Sequence, residues 1–577
     1  MNSRKPIVLK FGSSVLRNED DLPSAVHEIY RWWRDGAQVI AVVSAFGDTT
    51  DRLMRQAEKV CDNPDESVLP SLLATGEATA SALLTLALRK VGIAARLFDE
   101  VQAKLRTAGG GIDAIPVAVD SSRLLNESRR AVVVLPGFVG RDEAGDQTLL
   151  GRGGSDLTAL FLAHQLKANC VLIKDVDGIY PSDPARSAVR ASRFAQVSYE
   201  SAIRLGGGVV QEKAVRFAAV NKLRFSITSI GAQSETEVGP FADRFDGSDS
   251  RSQPLRVALL GCGTVGGGVY QRLAALPELF KVIGVGTKTG VRALAAGVPA
   301  DLISSNLEGL VNQPCDVVIE LIGGTKRAAY LIEQSLKLGR RVVTANKALL
   351  AQSGEAFRFL ADQSGTSLDY SAAVGGVLPA LETIRRARAF GPLQSFSGVV
   401  NGTCNFVLDQ LAAGSDFGAA VKLAQEKGYA EENPELDLDG FDAAQKLILL
   451  ARAAFDTNLP MHSIARKGIQ GLNPHMMRQA QERGRTIRLV AECKKMDGRI
   501  VASVMPVELS VNHRLAQVTG AENRLIVHPE FGEPIVISGT GAGRWPTTEA
   551  VMADLFEIRR RKSADEWEAA EELEACA

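Results

Sequence analysis

The segment KGYAEENPELDLDGFDAAQK, residues 427–446, gathers Glu431, Glu432, Glu435, Asp437, Asp439 and Asp442 ahead of one lysine, Lys446. An apolar run, LILLARAAF, follows at once. Asp442 and Lys446 stand four residues apart, so on a helix they share a face and pair. On a surface such a pair is worth roughly a few tenths of a kcal/mol. Lys446, however, opens an apolar stretch, and burial favours the neutral amine over the ammonium, which lets the group exchange a proton. An amine of that kind can serve as a general acid or base. Pro434, Asp439 and Gly440 are residue types of a turn and a helix start.

Other residues suit phosphate. LRVALLGCGTVGGGV sets Gly261, Gly263 and Gly266 as G-x-G-x-x-G after an apolar strand, with Thr264 and Val265 opening a helix. Gly261 permits the tight turn, Gly263 lets a pyrophosphate reach the backbone, and the helix N-terminus supplies N–H groups. The next strand, KVIGVGTKTG, ends at Gly286, Thr287 and Lys288 with no acid to hold a ribose 2′-hydroxyl. Thr287 and Lys288 suit a 2′-phosphate, which favours NADP over NAD. Near the N-terminus, VLKFGSSVL offers the ammonium of Lys10, a turn at Gly12, and the hydroxyls of Ser13 and Ser14 for triphosphate oxygens. LLATGEATAS brings Glu77, TLLGRGGSDLTA brings Arg152 and Asp156 ahead of a helix, and IKDVDGIYPSDP brings Asp175, Asp177, Tyr180 and Asp183 after a buried strand.

Farther along come CDVVIELIGG (315–324), RVVTANKALLA (341–351), YSAAVGGVLPALE (370–382), VVNGTCNF (399–406) and GTGAGRWPTTEAVMADL (539–555). With the glycine turn and the acidic segment, they make residues 255–555 resemble homoserine dehydrogenase. The resemblance implies a reversible, nicotinamide-dependent interconversion of L-homoserine and L-aspartate 4-semialdehyde. It also implies a nucleotide domain, a mixed-sheet substrate domain and homodimers or higher homo-oligomers. By resemblance Lys446 is the proton donor, and Lys347 is a second lysine near the nicotinamide and the reacting oxygen. Glu431 and Asp442 bind the amino and hydroxyl groups of homoserine, Asp437 is a further acid of the site, and the acidic segment is a receptor for a small amine. Ile322, Gly323, Thr344 and Gly541 join the glycine turn as cofactor positions. Val374 and Gly376 offer backbone carbonyls to a monovalent cation, but the family's glutamate after the tyrosine is Ser371 here.

Residues 7–230 resemble the catalytic domain of aspartokinase, within the amino-acid kinase family. The resemblance implies transfer of the γ-phosphoryl group of ATP, with Mg²⁺, to L-aspartate. Such a transfer sets anion against anion, so catalysis is positioning and charge neutralisation. Lys10 then stabilises the moving group, Asp156 organises that lysine and the metal-bound phosphates, and Arg152 offers a bidentate fork to a substrate carboxylate. Glu77 partners the substrate amine, and the loop carrying Asp175, Asp177, Tyr180 and Asp183 holds the nucleoside. Two departures stand out. KFGSSV is one residue shorter than the family's K-F-G-G-T-S-V, and a family G-A-K-V-L-H-P aligns with residues 206–212, putting Gly208 where a phosphate-region lysine stands, with Lys213 nearby as a stand-in. These departures motivate a second reading, an active dehydrogenase fused to a non-catalytic kinase domain. Only a linker separates Ile230 from Leu255, and the chain ends soon after its last dehydrogenase motif, so no ACT-mediated inhibition by threonine or lysine is expected.

The elements that must position these groups are short buried strands alternating with amphipathic helices, the pattern of α/β domains with largely parallel sheets. A chain of 577 residues exceeds a single core. The expected layout is an amino-acid-kinase α/β/α sandwich over 1–240, a linker over 241–254, a Rossmann domain over 255–375, a mixed α/β substrate and dimerisation domain over 376–540, and a segment over 541–577 returning to the nucleotide domain. The tail from Arg559 reads as an exposed charged helix. A net charge of −1 gives no electrostatic case for nucleic acid or a membrane surface. No apolar run is expected to span a bilayer, and the N-terminus does not resemble a signal peptide. Seven scattered cysteines without a CxxC pair argue for reduced thiols and a cytoplasmic location.

Overall fold

The computed structural model of the chain describes residues 6–182, 192–246 and 253–576, with side chains as far as 561. Two compact units emerge, one mainly from Asn2–Ser252 and the other from Gln253–Arg559.

In the first unit the apolar runs form strands Phe225–Ser229, Asn169–Lys174, Pro6–Phe11, Gln38–Val43 and Val132–Pro136, adjacent in that order and parallel. Every residue of Gln38–Val43 and Val132–Pro136 is buried, as in a parallel strand covered on both faces. Shorter strands flank this core. Ala95–Leu97 closes one edge, while Thr236–Gly239, Phe194–Ser198 and Arg244–Phe245 extend the other. Part of the expected linker is therefore sheet, because Arg244–Phe245 pairs with Phe194–Ser198 and Phe245 stacks on Phe194.

AVVVLPGFVG does not run as one strand. It breaks after Pro136, and Val139–Arg141 joins a separate sheet with Ile115–Ala118, Arg106–Ala108 and Gln147–Leu149. Gly137 lies so close to Ser155 that an added methyl would meet the serine Cβ at 2.6 Å, and Phe138 takes a left-handed φ of 69°. The chain turns there to bring the second sheet over the start of helix Gly154–Leu166. Helix Leu69–Lys90, contrary to expectation, is long and apolar enough by length and composition to cross a membrane. Half of its apolar window is buried inside the fold, and Glu77 sits on its buried side.

The second unit opens with a parallel sheet in the order Ile303–Ser304, Phe280–Gly286, Leu255–Leu260, Val317–Glu320, Arg341–Thr344 and Leu368–Asp369. The order reverses beside Leu255–Leu260, the switch point at which doubly wound sheets bind dinucleotides. A second sheet runs Ala465–Arg466, Arg499–Ser510, Arg485–Met496, Leu393–Val399, Glu522–Pro529 and Ile535–Thr540, antiparallel except at its first edge pair. Helix Phe441–Phe455, buried along nearly all its length with Asp442, Gln445, Lys446 and Arg452 among its buried residues, shares a core with Phe396, Leu489 and Val504 of that sheet. Helix Arg544–Cys576 begins by packing Val551, Leu555 and Ile558 against Leu255, Val257 and Phe280 of the parallel sheet. Arg559 is buried and donates to the Leu279 carbonyl at 3.3 Å, so the helix is not solvated from Arg559 as expected.

Candidate active sites

In the second unit the acidic segment ends on helix Phe441–Phe455. Pro434 caps the short helix Glu435–Leu438, Gly440 takes a left-handed φ of 81°, and Asp439 Oδ1 accepts the Phe441 N–H at 2.7 Å. That start places Asp442 and Lys446 on one inward face, 6% and 5% exposed. Lys446 Nζ donates to Asp442 Oδ2 at 3.1 Å and to the Val400 carbonyl at 2.8 Å. Lys347, first residue of helix Lys347–Gln363 and partly exposed, reaches Asp442 Oδ1 at 2.6 Å. Asn401 Nδ2 bridges Asp442 Oδ2 at 2.9 Å and Asp437 Oδ1 at 2.7 Å. One buried carboxylate thus gathers two ammonium groups and an amide.

The charges follow from this geometry. Burial pushes the Asp442 pKa up, but Lys446 and Lys347, with hydrogen bonds from Lys347 and Asn401, outweigh it and hold the carboxylate well below its ordinary range. Asp437 is raised, first by burial and then by the Asp442 charge. Burial opposes the Lys347 ammonium, yet Asp442, Asp437 and Glu431 together raise its pKa. Glu431 is exposed and acts on the site through this charge, while Gln425 Nε2 holds its backbone carbonyl at 3.1 Å.

The glycine turn fits a dinucleotide. Gly261 has φ of 103°, and a methyl there would strike the Leu321 carbonyl. Gly266 packs on the Gly261 carbonyl, whereas a Cβ at Gly263 would meet nothing within 4 Å, leaving room for a pyrophosphate at the N-terminus of helix Thr264–Ala274. Val265 packs against the nucleotide-fold core. Lys288 is exposed, and Thr287 donates to the Thr289 carbonyl at 3.0 Å.

Sequence reasoning missed Glu320, a fully buried acid at the end of Val317–Glu320. Its Oε1 accepts the Ile322 N–H at 2.9 Å and its Oε2 the Thr344 hydroxyl at 2.7 Å, while Thr344 Oγ1 accepts the Asn346 N–H at 3.0 Å. Glu320 ties the Ile322–Gly323 turn to the residue pair before Lys347, and burial raises its pKa against those hydrogen bonds. The signal was present as a lone acid in VVIELIGG, at the end of a strand with no partner nearby in sequence. Gly541 lies against Asn523, whose Nδ2 donates at 3.1 Å to the same Val400 carbonyl that holds Lys446. Val374 is buried, Gly376 backs onto Thr540 and Gly541, and the Ser371 hydroxyl donates to Glu382 Oε1 at 2.6 Å.

In the first unit a cavity of about 710 Å³ is lined by Lys10, Ser13, Glu77, Arg152 and Asp156, so five residues from three distant motifs meet. Lys10 Nζ lies 2.7 Å from Asp156 Oδ1. Lys174, also missed, donates to Asp156 Oδ2 at 2.8 Å and Oδ1 at 3.1 Å. The Asp156 pKa stays below its usual value because the two lysines outweigh a large burial effect. Glu77 is pushed up to about 7, mainly by burial, against hydrogen bonding from the Ala45 N–H and the Lys10 charge. Its Oε1 accepts that N–H at 3.3 Å, and its buried Oε2 has no hydrogen-bond partner among the described residues. Gly12 sits beside Lys10 Nζ, and Ser14 is exposed in the same turn. Asp177 Oδ1 accepts from the Tyr180 hydroxyl at 2.8 Å, Asp175 is exposed, and Asp183 lies outside the described residues. Lys213 pairs with Asp113, on the wall of the same cavity, at 2.5 Å from its Oδ1, and donates to the Leu150 carbonyl at 3.0 Å.

Comparison with known proteins agrees with both halves. The amino acid kinase family matches residues 5–229; homoserine dehydrogenase, NAD binding domain, matches 261–371; and homoserine dehydrogenase matches 379–556. The homoserine dehydrogenase of Corynebacterium glutamicum is 33% identical over 336 residues, covering 56% of this chain and 75% of that protein. That of Mycobacterium leprae is 35% identical, covering 55% and 74%. A solved homoserine dehydrogenase from Thiobacillus denitrificans superposes with a TM-score of 0.52 at 34% identity, covering 54% and 74%. The parallel sheet with its glycine turn, the buried Lys446–Asp442–Lys347 group and these matches place the chain in the homoserine dehydrogenase family, with an amino acid kinase domain preceding the dehydrogenase part.

Proposed function

We propose that the second unit interconverts L-homoserine and L-aspartate 4-semialdehyde with NADP, and that the first phosphorylates L-aspartate from ATP to 4-phospho-L-aspartate. The dehydrogenase reading is carried by the buried Lys446–Asp442–Lys347 group. Gly261, Gly263, Thr264, Val265 and Gly266 would hold the pyrophosphate, Thr287 and Lys288 the 2′-phosphate, and Ile322, Gly323, Thr344 and Gly541 the nicotinamide end. A nicotinamide bound there supplies or accepts the hydride. In the reductive direction Lys446 gives a proton to the aldehyde oxygen as its carbon is reduced, and the neutral amine is then reprotonated. Lys347 adds positive charge beside the developing alkoxide, and Asp442 keeps both lysines aimed. Glu431 and Asp437, with Asp442, receive the substrate's amino and hydroxyl groups. A monovalent cation would be held by the backbone carbonyls of Val374 and Gly376, the latter close to Thr540 and Gly541.

The kinase reading is supported by the shared cavity, where Arg152 suits the aspartate carboxylate and Glu77 its amine. Lys10 and Asp156 face the phosphates at its buried end, and Ser13 and Ser14 lie at the turn. Asp175, Asp177 and Tyr180 line the loop assigned to the nucleoside, and Mg²⁺ enters with ATP. The acyl phosphate made by one unit and the semialdehyde used by the other differ by a reductive dephosphorylation, a reaction assigned to neither. The test is both activities on the purified chain: homoserine-dependent reduction of NADP, and ATP-dependent hydroxamate formation from aspartate, with glutamate as the control acceptor. A hydroxamate signal abolished by Lys10→Ala supports the kinase; its absence in the parent chain leaves a dehydrogenase with a non-catalytic partner domain. Sedimentation of the same sample tests the homodimer or higher homo-oligomer that the resemblance implies.

A further inference from the structure

We infer that Lys174 is a second catalytic ammonium of the phosphoryl transfer, paired with Lys10 across Asp156 and supplying the positive charge that Gly208 lacks. The inference rests on the kinase reading of the first unit.

Strands Pro6–Phe11 and Asn169–Lys174 are parallel neighbours, with Lys10 opposite Leu172. Side chains alternate along a strand, so Lys174, two residues beyond Leu172, leaves the sheet on the face that Lys10 uses. Both lie at C-terminal strand ends, where open α/β sheets bind their ligands. Lys10 and Lys174 are 5% and 8% exposed, and Asp156 between them 3%. Two ammonium groups share one carboxylate: Lys10 and Asp156 line the cavity, Lys174 joins them through Asp156, and Glu77, its carboxyl pushed up to about 7, offsets the surplus cation only in part. A structural ion pair needs one cation, and a surplus buried cation is costly unless an anion joins it. The surplus is felt by Lys174, whose pKa is lowered to about 8 by burial and then by Lys10, against Asp156. The anion has a way in: the Gly12 turn approaches so closely that a methyl on Gly12 would sit 2.9 Å from Lys10 Nζ, and Ser13 of that turn lines the cavity. Arg152 and Glu77 line the same space, so an amino acid held between them would present its second carboxylate toward this charge. Lys213, the stand-in expected from sequence, is bonded to Asp113 and Leu150 instead.

The reaction needs no proton. An oxygen of the aspartate side-chain carboxylate bonds to the γ-phosphorus, the bond from that phosphorus to the β,γ-bridging oxygen breaks, and ADP leaves with the electron pair. Charge on the three equatorial oxygens persists throughout, and a second fixed cation lowers the barrier in the manner of an oxyanion-hole donor.

The test is Lys174→Met beside Lys174→Arg in the full chain, with unchanged resistance of the first unit to limited proteolysis as the check on its folding. The methionine variant should lose about 10²–10³-fold in kinase kcat, the usual effect of removing one such donor, with the aspartate KM changed less than about threefold. The arginine variant should recover at least tenfold of that loss, which a purely structural role would not require. A methionine variant within threefold of the parent in kcat overturns the inference. Should the parent not phosphorylate aspartate, the kinase reading fails separately, and calorimetric titration with Mg²⁺ and ADP or a non-hydrolysable ATP analogue decides. Loss of the analogue's preference over ADP on Lys174→Met sustains the charge assignment; equal loss for both nucleotides, no loss, or no binding by the parent refutes it.

Discussion

Replacing Lys446 by methionine removes the ammonium and keeps an unbranched apolar stem of about the same length as lysine's methylenes. The surroundings tolerate the loss well for a buried charge. Asp442 retains Lys347 at 2.6 Å and Asn401 at 2.9 Å, and the Val400 carbonyl retains Asn523 at 3.1 Å. Breaking a buried pair outright costs about 3–5 kcal/mol when it strands a charge. Here the carboxylate is not stranded, so a loss nearer 1.5–3 kcal/mol, about that of one hydrogen bond to a charged group, is expected. Catalysis should suffer more. Without the donor, turnover in both directions should fall by about 10²–10⁴-fold, the range for a lost general acid or base. The glycine turn is untouched, so NADPH affinity should stay within about threefold. Nicotinamide absorbance gives turnover, fluorescence titration gives the cofactor Kd, and thermal unfolding gives stability. Turnover within tenfold of the parent would refute the assignment of the proton to Lys446. So would normal turnover at saturating cofactor with a greatly weakened Kd.

Glu77 has a folded pKa of about 7 against a reference of 4.5, so the folded state holds its proton longer than the unfolded chain. Stability of the unliganded first unit should therefore fall as pH rises from about 4.5 to 7, by up to about 3 kcal/mol at 1.36 kcal/mol per pH unit; Glu77→Gln should flatten that slope in pH-dependent denaturation while weakening aspartate binding. Asp442, depressed when folded, has the opposite sign: its stabilisation is complete above the unfolded pKa and disappears as pH falls through the lower folded value, so Asp442→Asn should blunt the acid sensitivity of the second unit's unfolding. Lys288→Glu should weaken NADPH by about tenfold or more and leave NADH within about twofold, the difference being loss of one cation and its replacement by an acid at a 2′-phosphate; equal effects on both would remove Lys288 from that role. Glu320→Ala releases the Ile322 N–H and the Thr344 hydroxyl together and should raise the cofactor Kd by about tenfold or more, read by the same fluorescence titration.

Elements were legible where one residue pattern answered one physical demand. Pro6–Phe11, Gln38–Val43, Asn169–Lys174 and Phe225–Ser229 of the first unit and the glycine turn of the second stand where the sequence put them. The Asp442–Lys446 pair was legible because helical spacing is local. What escaped notice was set by contacts distant in sequence. The break at Gly137 answers to Ser155, eighteen positions on, and the burial of Arg559 answers to the Leu279 carbonyl. Lys174 and Glu320 end their strands like any polar residue meeting solvent; only the fold brings Asp156 to one and Thr344 to the other. Asn401 likewise caps helix Gly402–Ala412 through its Oδ1, a routine local role that hides its second task of joining Asp437 to Asp442.

Lys446 has three N–H bonds, and two of them are directed at Val400 and Asp442. A lysine is ordinarily a donor with no preferred direction, since its ammonium turns freely. Anchored at two corners, this one becomes a vector, with a single hydrogen left to address an incoming oxygen. After that hydrogen departs, the lone pair it leaves points along the same line while the other two hydrogens stay where they were. Forward and backward reactions therefore traverse one path, and the amine needs no reorientation between turnovers.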